Sequence, residues 1–431
     1  MTGVQTCALP IYALAPYAVD RWIDACQAHP DAKFFYCDEV VTDERLRPVD
    51  LFAKPAYDPV LLSGVNYINH LSIFRRDRLV ALGGLRIGFE GSQDYDLLLR
   101  YLAGIPPGEV WHIPYPGYLW RRDGASFSVT HFDKSIAAAR RALAEAWCSG
   151  VDSSIEPALD TQLHRVRFAP GRTAWPKVSV VIPSRDAFPL ISRVLNDLLT
   201  RTDYPGLEII VVDNGSTDPR VLELYERMKA STPDFRVEIS VAPFDFARQT
   251  NRGFALSSGD CILMLNNDIE VIEPGWLKEM VECLSYPDAG VVGARLLYPD
   301  GSLQHAGVIA GLGTVAGHWF IGRPARTPGP MGRLNVRQSF SAVTGACMLI
   351  TRECLAATGG LDEAFAIAYN DIDFCLRAGH SGFRVIWTPF ATLYHHESAS
   401  RGSDETPANI ERFRREQAML RERYEIGRAH V

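Results

Sequence analysis

Between Lys177 and Leu265 the chain alternates short apolar runs with stripes at helical spacing. Lys177-Val-Ser-Val-Val-Ile-Pro183 is an apolar run stopped by proline, which predicts a buried strand. Leu190, Val194, Leu195 and Leu198 form an apolar stripe and predict a helix over Leu190–Thr200. Leu207–Val212 predicts a second buried strand, Val221–Lys229 a helix and Val237–Val241 a third strand. Phe246–Ser257 predicts a helix closed by Ser258-Gly259, and Cys261–Leu265 a fourth strand. Strands that alternate with helices build an α/β fold with a doubly wound, mostly parallel sheet.

Ligands of open α/β sheets bind beyond the carboxyl ends of the strands. Polar and acidic residues stand at four such ends. They are Asn266-Asn267-Asp268, Val211-Val-Asp213-Asn-Gly-Ser-Thr-Asp218, Tyr369-Asn-Asp371-Ile-Asp373 and Tyr394-His395-His396-Glu397. Together they point to an enzyme acting on a nucleotide-activated substrate.

Two segments repeat one pattern. Arg76 to Leu85 ends in Gly83-Gly84-Leu85 and precedes Asp94-Tyr-Asp96-Leu-Leu-Leu-Arg100. Arg352 to Leu361 ends in Gly359-Gly360-Leu361 and precedes Asp371-Ile-Asp373-Phe-Cys-Leu-Arg377. The match predicts a duplicated domain. The second copy spans 176–424. The first spans 12–148 and begins late: its early strand, Lys33–Cys37 with Asp38-Glu39 behind it, aligns with Cys261–Leu265. The three strands before that have no counterpart, so the first copy reads as a truncated late half, closed by a helix over Ala137–Trp147. Residues 149–175 read as an irregular linker.

The ends carry a different signal. Thr6–Ile11 can be encoded by ACGTGTGCTCTTCCGATC, whose reverse complement, read one base in, encodes Ile426–Val431. Residues 1–11 and 425–431 are therefore expected to derive from a sequencing adapter, with a longer natural chain at both ends.

At 431 residues the chain can hold two or three domains with full cores. A net charge of −7 argues against nucleic acid as a partner, since phosphate binding needs a basic face. Nine cysteines without metal-ligand spacing predict free thiols in a reducing cytoplasm. No apolar run approaches the ~20 residues of a membrane span.

The motifs VSVVIPSRD, VVDNGSTD, LMLNND, QHAGVIAGLG, SAVTGACMLITRE, GGLDEAF, NDIDFCLR and LYHHESASRG run from Val178 to Arg401. This stretch resembles family 2 glycosyltransferases of GT-A fold, of the tandem, rhamnosyltransferase-like bacterial type that builds surface polysaccharides. YCDEV, FEGSQDYDLLLR and HIPYPGYLWR in the first copy resemble the family's late half.

The resemblance implies an inverting, metal-dependent transfer from a dTDP- or UDP-sugar to a glycan or lipid-linked acceptor. Asp268 is then the Mg²⁺ or Mn²⁺ ligand, in a position where relatives carry an acidic pair and this chain has Asn266 and Asn267 before it. The two amides would position donor or water. His395 completes the metal site, with His396 as the competing choice and Glu397 orienting the imidazole. Asp371 is the base that takes the acceptor's proton; helix capping is its bland alternative. Asp373 braces the site. Asp213 contacts the base or ribose, Pro183, Ser184 and Asp186 line the same pocket, and Arg248 and Asn251 hold the nucleotide near the diphosphate. His305 and His318 belong to an acceptor-side or lid loop, Gly301–Gly322. In the first copy Asp94 matches the base, while Leu119 stands where His395 stands in the second. A cytoplasmic enzyme, peripheral at the inner face of the membrane, is expected from lipid-linked acceptors. A sugar-phosphate nucleotidyltransferase and a non-catalytic glycan-binding protein are the competing readings.

Overall fold

The computed structural model describes residues 12–121, 132–148, 152–169, 171, 173–397 and 407–426. Residues 1–11 and 427–431, most of the two ends read as adapter-derived, lie outside the described residues, as does the Ser398–Arg401 end of the last motif. The chain divides into two compact units: Met1–Pro170 with Pro330–Val336, and Gly171–Gly329 with Arg337–Val431.

The first unit contains β1 (Tyr12–Leu14), α1 (Ala18–Ala28), β2 (Phe34–Thr42), β3 (Pro48–Phe52), α2 (Pro59–Leu62), β4 (Ser72–Phe74), α3 (Arg76–Ala81) and α4 (Gln93–Leu102). Then come β5 (Val110–Arg121), α5 (Phe132–Trp147), β6 (Ser153–Pro157) and β7 (His164–Phe168). Its main sheet has the order β1-β5-β2-β3, with β4 also on β2. Phe34, Tyr36, Leu61, Tyr67, Leu98 and Leu143 anchor its core.

The second unit contains β8 (Val178–Ser184), α6 (Phe188–Thr200), β9 (Leu207–Asp213), α7 (Pro219–Ser231), β10 (Phe235–Ile239), α8 (Phe246–Leu256), β11 (Cys261–Leu265) and β12 (Ile269–Val271). It continues with α9 (Trp276–Cys283), β13 (Ala289–Leu297), β14 (Leu303–His305), β15 (Val308–Ala310), β16 (Ala316–His318) and β17 (Gln338–Ser339). The last elements are β18 (Cys347–Thr351), α10 (Arg352–Thr358), α11 (Asn370–His380), β19 (Arg384–His395) and α12 (Pro407–Arg423). Its sheet runs β10-β9-β8-β11-β18-β13-β19-β12. The first four strands are parallel, built by the alternation visible in the sequence; β18 enters antiparallel between β11 and β13. This is an α/β fold of GT-A type. All seven residues of β8 are buried, so its continuous apolar run is what a strand covered on both faces demands. Helix α8 lies against the sheet at Gly253, where a Cβ would come within 2.2 Å of Val181 Cγ1. The Asp245 side chain caps that helix by accepting from the Arg248 N–H.

The structure corrects three readings of the sequence. First, much of 149–175 is not an irregular linker. Ser153–Pro157 and His164–Phe168 pair as an antiparallel hairpin in the first unit. The burial of His164, Val166 and Phe168 alternates with partly exposed arginines, a two-residue period hidden by polar composition.

Second, β2 is the counterpart of β13 and not of β11. Phe34 pairs with Phe74 of β4 and Val110 of β5. Val291 of β13 pairs in the same senses with Ile350 of β18 and Val385 of β19. Asp38-Glu39 therefore does not occupy the place of Asn266–Asp268. Asp38 faces His112, and Glu39 accepts from the His70 N–H beside Lys54.

Third, the counterpart of His395 is Trp120 rather than Leu119. With Phe34 matched to Val291, Val40 pairs with Leu119 as Leu297 pairs with Tyr394, so Trp120 follows where His395 follows. The repeated Arg-to-Leu segments were long enough to align unaided, whereas a short apolar run such as Lys33–Cys37 fits any buried strand.

Among the described residues no helix is long and apolar enough to cross a membrane. The eight described cysteines are all free thiols.

Candidate active site

Strand β11 ends at Leu265, and the chain turns through Asn266–Asp268 before pairing with β19. That pairing sets His395 opposite Ile269, so the imidazole lands beside Asp268. His395 Nε2 lies 3.1 Å from Asp268 Oδ1, and both residues are buried. Asn266 Nδ2 approaches the same ring nitrogen at 3.4 Å. On the other side of the ring, His395 Nδ1 is 2.6 Å from Gln304 Oε1. His396 points elsewhere: its ring meets Glu270 and Arg193, each at 2.8 Å.

Asp371 sits in the first turn of α11. The N-cap is Tyr369, in left-handed backbone conformation, so capping does not explain the carboxylate. Asp371 Oδ2 accepts from the Gly345 N–H at 2.8 Å, and Oδ1 from the Ile372 N–H at 2.8 Å. The neighbouring Ala346 carbonyl accepts from the Asn266 N–H at 2.9 Å. The turn 345–346 thus holds both Asp371 and the loop that carries Asp268. A Cβ at Gly345 would displace the Met264 methyl, 2.3 Å away, and press on Asp371 Cβ at 3.3 Å. Asp373 is fully buried and braces the helix through Arg377, Arg423 and Tyr424.

His305 and His318 close this neighbourhood. Their Nδ1 atoms are 3.1 Å apart, and His305 Nε2 accepts from the Thr344 N–H at 3.3 Å. Burial depresses the pKa of both rings; the carboxylates of Asp371 and Glu397 oppose it at His318, which places that ring in their field.

The nucleotide-side candidates form a second hydrogen-bonded group. Asp213 is buried and accepts from the Ser216 N–H and hydroxyl and from the Tyr225 hydroxyl. Asp186, with φ of 48°, accepts from the Thr217 and Asp218 N–H groups and so ties the exit loop of β8 to that of β9. Pro183 pairs with Val212 in the sheet. The Ser184 hydroxyl accepts from Asn267 Nδ2 at 3.1 Å, which joins this group to the Asn266–Asp268 turn. Gln249, which the sequence did not single out, donates to the Val212 carbonyl at 2.5 Å and to the Ser184 carbonyl at 3.3 Å.

Arg248 and Asn251 are not brought into this group. The Asn251 amide is taken up by the Leu361 backbone, accepting from its N–H and donating to its carbonyl, each at 2.9 Å. Arg248 is 56% exposed and pairs with Glu363 and Asp245. Both residues fasten α8 to the segment that follows Gly360, a job their polarity alone does not distinguish from ligand binding.

Residues 179–358 match the family model described as Glycosyl transferase family 2. That stretch, less than half of the chain, is similar to a family 2 glycosyltransferase domain. Over 95% of its length it is 41% identical to an uncharacterized protein, y4gI, of Sinorhizobium fredii, covering 46% of that protein. It is 35% identical to the O-antigen biosynthesis protein RfbC of Myxococcus xanthus, over 91% of this chain and 31% of that one. An N-acetylglucosaminyl-diphospho-decaprenol L-rhamnosyltransferase of Mycobacterium tuberculosis is 26% identical over 50% of this chain and 75% of its own. The chain thus spans less than half the length of the first two relatives. Among solved structures, a mannosyltransferase of Pyrobaculum calidifontis in complex with GDP-Man and Mn²⁺ aligns with a TM-score of 0.43 and 18% identity, over 69% of this chain and 73% of that one.

Two protein atoms of the second unit would be open to a divalent cation. With His395 Nδ1 against the Gln304 amide oxygen, Nε2 is the ring nitrogen left to face Asp268 Oδ1. A carboxylate oxygen and an imidazole lone pair at 3.1 Å suit a shared cation. Among the described residues no group of three or more His, Cys, Asp or Glu side chains gathers at a metal-binding distance. A cation held here would take its remaining ligands from a diphosphate and water, as hard divalent ions do in phosphate-transfer sites. Gln304, like Gln249, is a residue of the site that the sequence does not single out. It lay within the QHAGV motif, but only the pairing of β14 with β13 carries it to His395.

Proposed function

We propose that the second unit transfers a sugar, with inversion, from a nucleotide-diphosphate donor to a hydroxyl of a glycan or lipid-linked acceptor in bacterial surface-polysaccharide synthesis. The observation that carries this reading is the convergence of two acidic centres on the turn 345–346: Asp371 through the Gly345 N–H, and the Asp268–His395 pair through Asn266. Asp371 takes the proton of the attacking hydroxyl. Asp268 and His395 would hold Mg²⁺ or Mn²⁺, which neutralises the charge of the departing diphosphate. The group around Ser184, Asp186 and Asp213 receives the nucleoside. Its loop-to-loop hydrogen bonds shape that end of the sheet before the donor arrives.

The motif resemblance favours a pyrimidine nucleotide, dTDP or UDP, and the relative named as an L-rhamnosyltransferase favours rhamnose as the sugar. The relative named for O-antigen biosynthesis favours an envelope glycan as product. A lipid-linked acceptor would bring the enzyme to the inner face of the cell membrane as a peripheral protein. We read the first unit as a partial copy of the same domain. Trp120 at the place of His395 favours a binding or scaffolding role for it over catalysis.

The test is a thermal-shift screen of UDP, dTDP and GDP with and without Mn²⁺, followed by donor hydrolysis and transfer assays. Stabilisation by one diphosphate that depends on Mn²⁺, with turnover lost in Asp371→Asn and Asp268→Ala, is expected. Wild-type turnover in both variants would overturn the assignment.

A further inference from the structure

Which nitrogen of His395 is offered to a cation depends on which carries the proton, and the structure shows what decides that. Gln304 is buried, in the middle of β14, with its amide lying between the His395 ring and Glu397. Its Nε2 lies 3.4 Å from the His395 carbonyl oxygen and 3.2 Å from Glu397 Oε2. Both of those atoms only accept, so the amide NH₂ must face them. The amide oxygen is thereby turned to His395 Nδ1 at 2.6 Å, where it can only accept. Nδ1 therefore carries a ring proton, which leaves Nε2 as the nitrogen facing Asp268.

We infer that Gln304 is a positioning residue for the metal site, fixing the tautomer and plane of His395, and that Glu397 and the His395 carbonyl fix Gln304 in turn. This rests on the metal reading proposed above. It revises the expectation that Glu397 orients the imidazole directly: the glutamate acts one residue removed. It also gives the Gly-rich segment a fixed point, since the strand that bears Gln304 bears His305 next to it, hydrogen-bonded to Thr344 and His318.

The experiment compares wild type, Gln304→Met, Gln304→Glu and the double variant Gln304→Glu/Glu397→Gln, with His395→Ala as the reference for a lost ligand. Mn²⁺ binding is read by electron paramagnetic resonance, and the His395 ring by ¹⁵N NMR of the metal-free protein. The wild-type ring is expected as the Nδ1–H tautomer. Gln304→Met should lose that preference and weaken Mn²⁺ binding about tenfold or more, the usual effect of removing a residue that orients a ligand. Gln304→Glu sets two carboxylates against each other and should also weaken binding. The double variant restores a donor facing an acceptor and should recover most of the affinity, which a mere packing role does not predict. Wild-type Mn²⁺ affinity in Gln304→Met, or an Nε2–H tautomer in the wild type, overturns the inference. If the wild type binds no more Mn²⁺ than His395→Ala, the metal reading fails, and the NMR tautomer still decides whether Gln304 controls the ring.

Discussion

The two units share a framework and differ where chemistry would occur. In the first, Arg100 pairs with Asp96 and donates to the carbonyls of Leu82 and Gly84. In the second, Arg377 pairs with Asp373 and donates to the carbonyls of Thr358 and Gly360. The same brace is built twice from the same spacing. Around it the units part. Asp371 accepts from a backbone N–H at Gly345, whereas Asp94 accepts from the Asn69 side chain. His395 is matched by Trp120. Leu361 is 3% exposed under α8, held by Asn251, while Leu85 of the matching Gly-Gly-Leu is 61% exposed. Recurrence of a motif therefore marks the brace, and the chemistry has to be read from what faces it.

The largest expected effect tests that distinction at the duplicated carboxylates. Asp371→Asn should reduce transfer by about 10²- to 10⁴-fold, the range associated with a general base. Asp94→Asn should leave the rate of the same preparation within about twofold. Equal losses would erase the functional contrast between the units; no loss in either would remove Asp371 from the chemistry.

The shared brace predicts similarity instead. Asp96→Ala and Asp373→Ala each remove a buried carboxylate from partly exposed arginines. Each should cost on the order of 2 kcal/mol, discounted for the water that reaches the guanidinium groups. Calorimetry should show a lower melting transition in both variants, each confined to one unit. A fall for Asp373→Ala alone would mean that the first brace is only a relic of sequence.

The next contrast is the metal position. His395→Trp should lower Mn²⁺ affinity at least about tenfold, measured by electron paramagnetic resonance with the nucleotide diphosphate present. The reverse change, Trp120→His, should create no new site. Asp38, the acid in the middle of β2, is already hydrogen-bonded to His112 and to the Lys54 N–H and does not stand where Asp268 stands. New Mn²⁺ binding in Trp120→His would show that the first unit lacks only one ligand.

These contrasts also locate what the sequence could convey. The parallel half of the second sheet was legible because each strand is a buried apolar run separated by a helix of clear period, and Cys261–Leu265 is found at the residues anticipated. Asp268 and His395 stand at strand ends, where the sequence expected them, whereas Asp371 stands in the first turn of a helix and not at a strand end. Register was not legible. Whether Leu119 or Trp120 matches His395 turns on a single residue of pairing, and alternation flips with that residue. Nor were the partners of amides legible. Asn251 read as a nucleotide contact, and Gln304 as a polar residue within a motif. Their roles depend on a backbone at Leu361 and a ring at His395 that are distant in sequence.

The smallest effect concerns acid stability, and it tests whether the hairpin of the first unit is integral to that unit. His164, on β7, is buried, and burial, followed by the charge of Arg140, pushes its pKa down to about 4 from an ordinary 6.5. In the folded unit the ring is neutral down to that value, while in the unfolded chain it takes a proton below 6.5. The stabilisation from keeping it buried and neutral is present above pH 6.5 and is lost as pH falls from 6.5 towards 4. At pH 5.5 the loss is about 1 kcal/mol, since each unit of pH across the window is worth at most ~1.4 kcal/mol. His164→Gln, which cannot titrate, should shrink the drop in the first unit's melting transition between pH 7.5 and 5.5. The second unit's transition should be unmoved, because its depressed histidines, His305 and His318, are untouched. An identical drop in wild type and His164→Gln would mean that the hairpin opens before the unit melts, and residues 153–168 would then behave as the loose connection that composition alone implied.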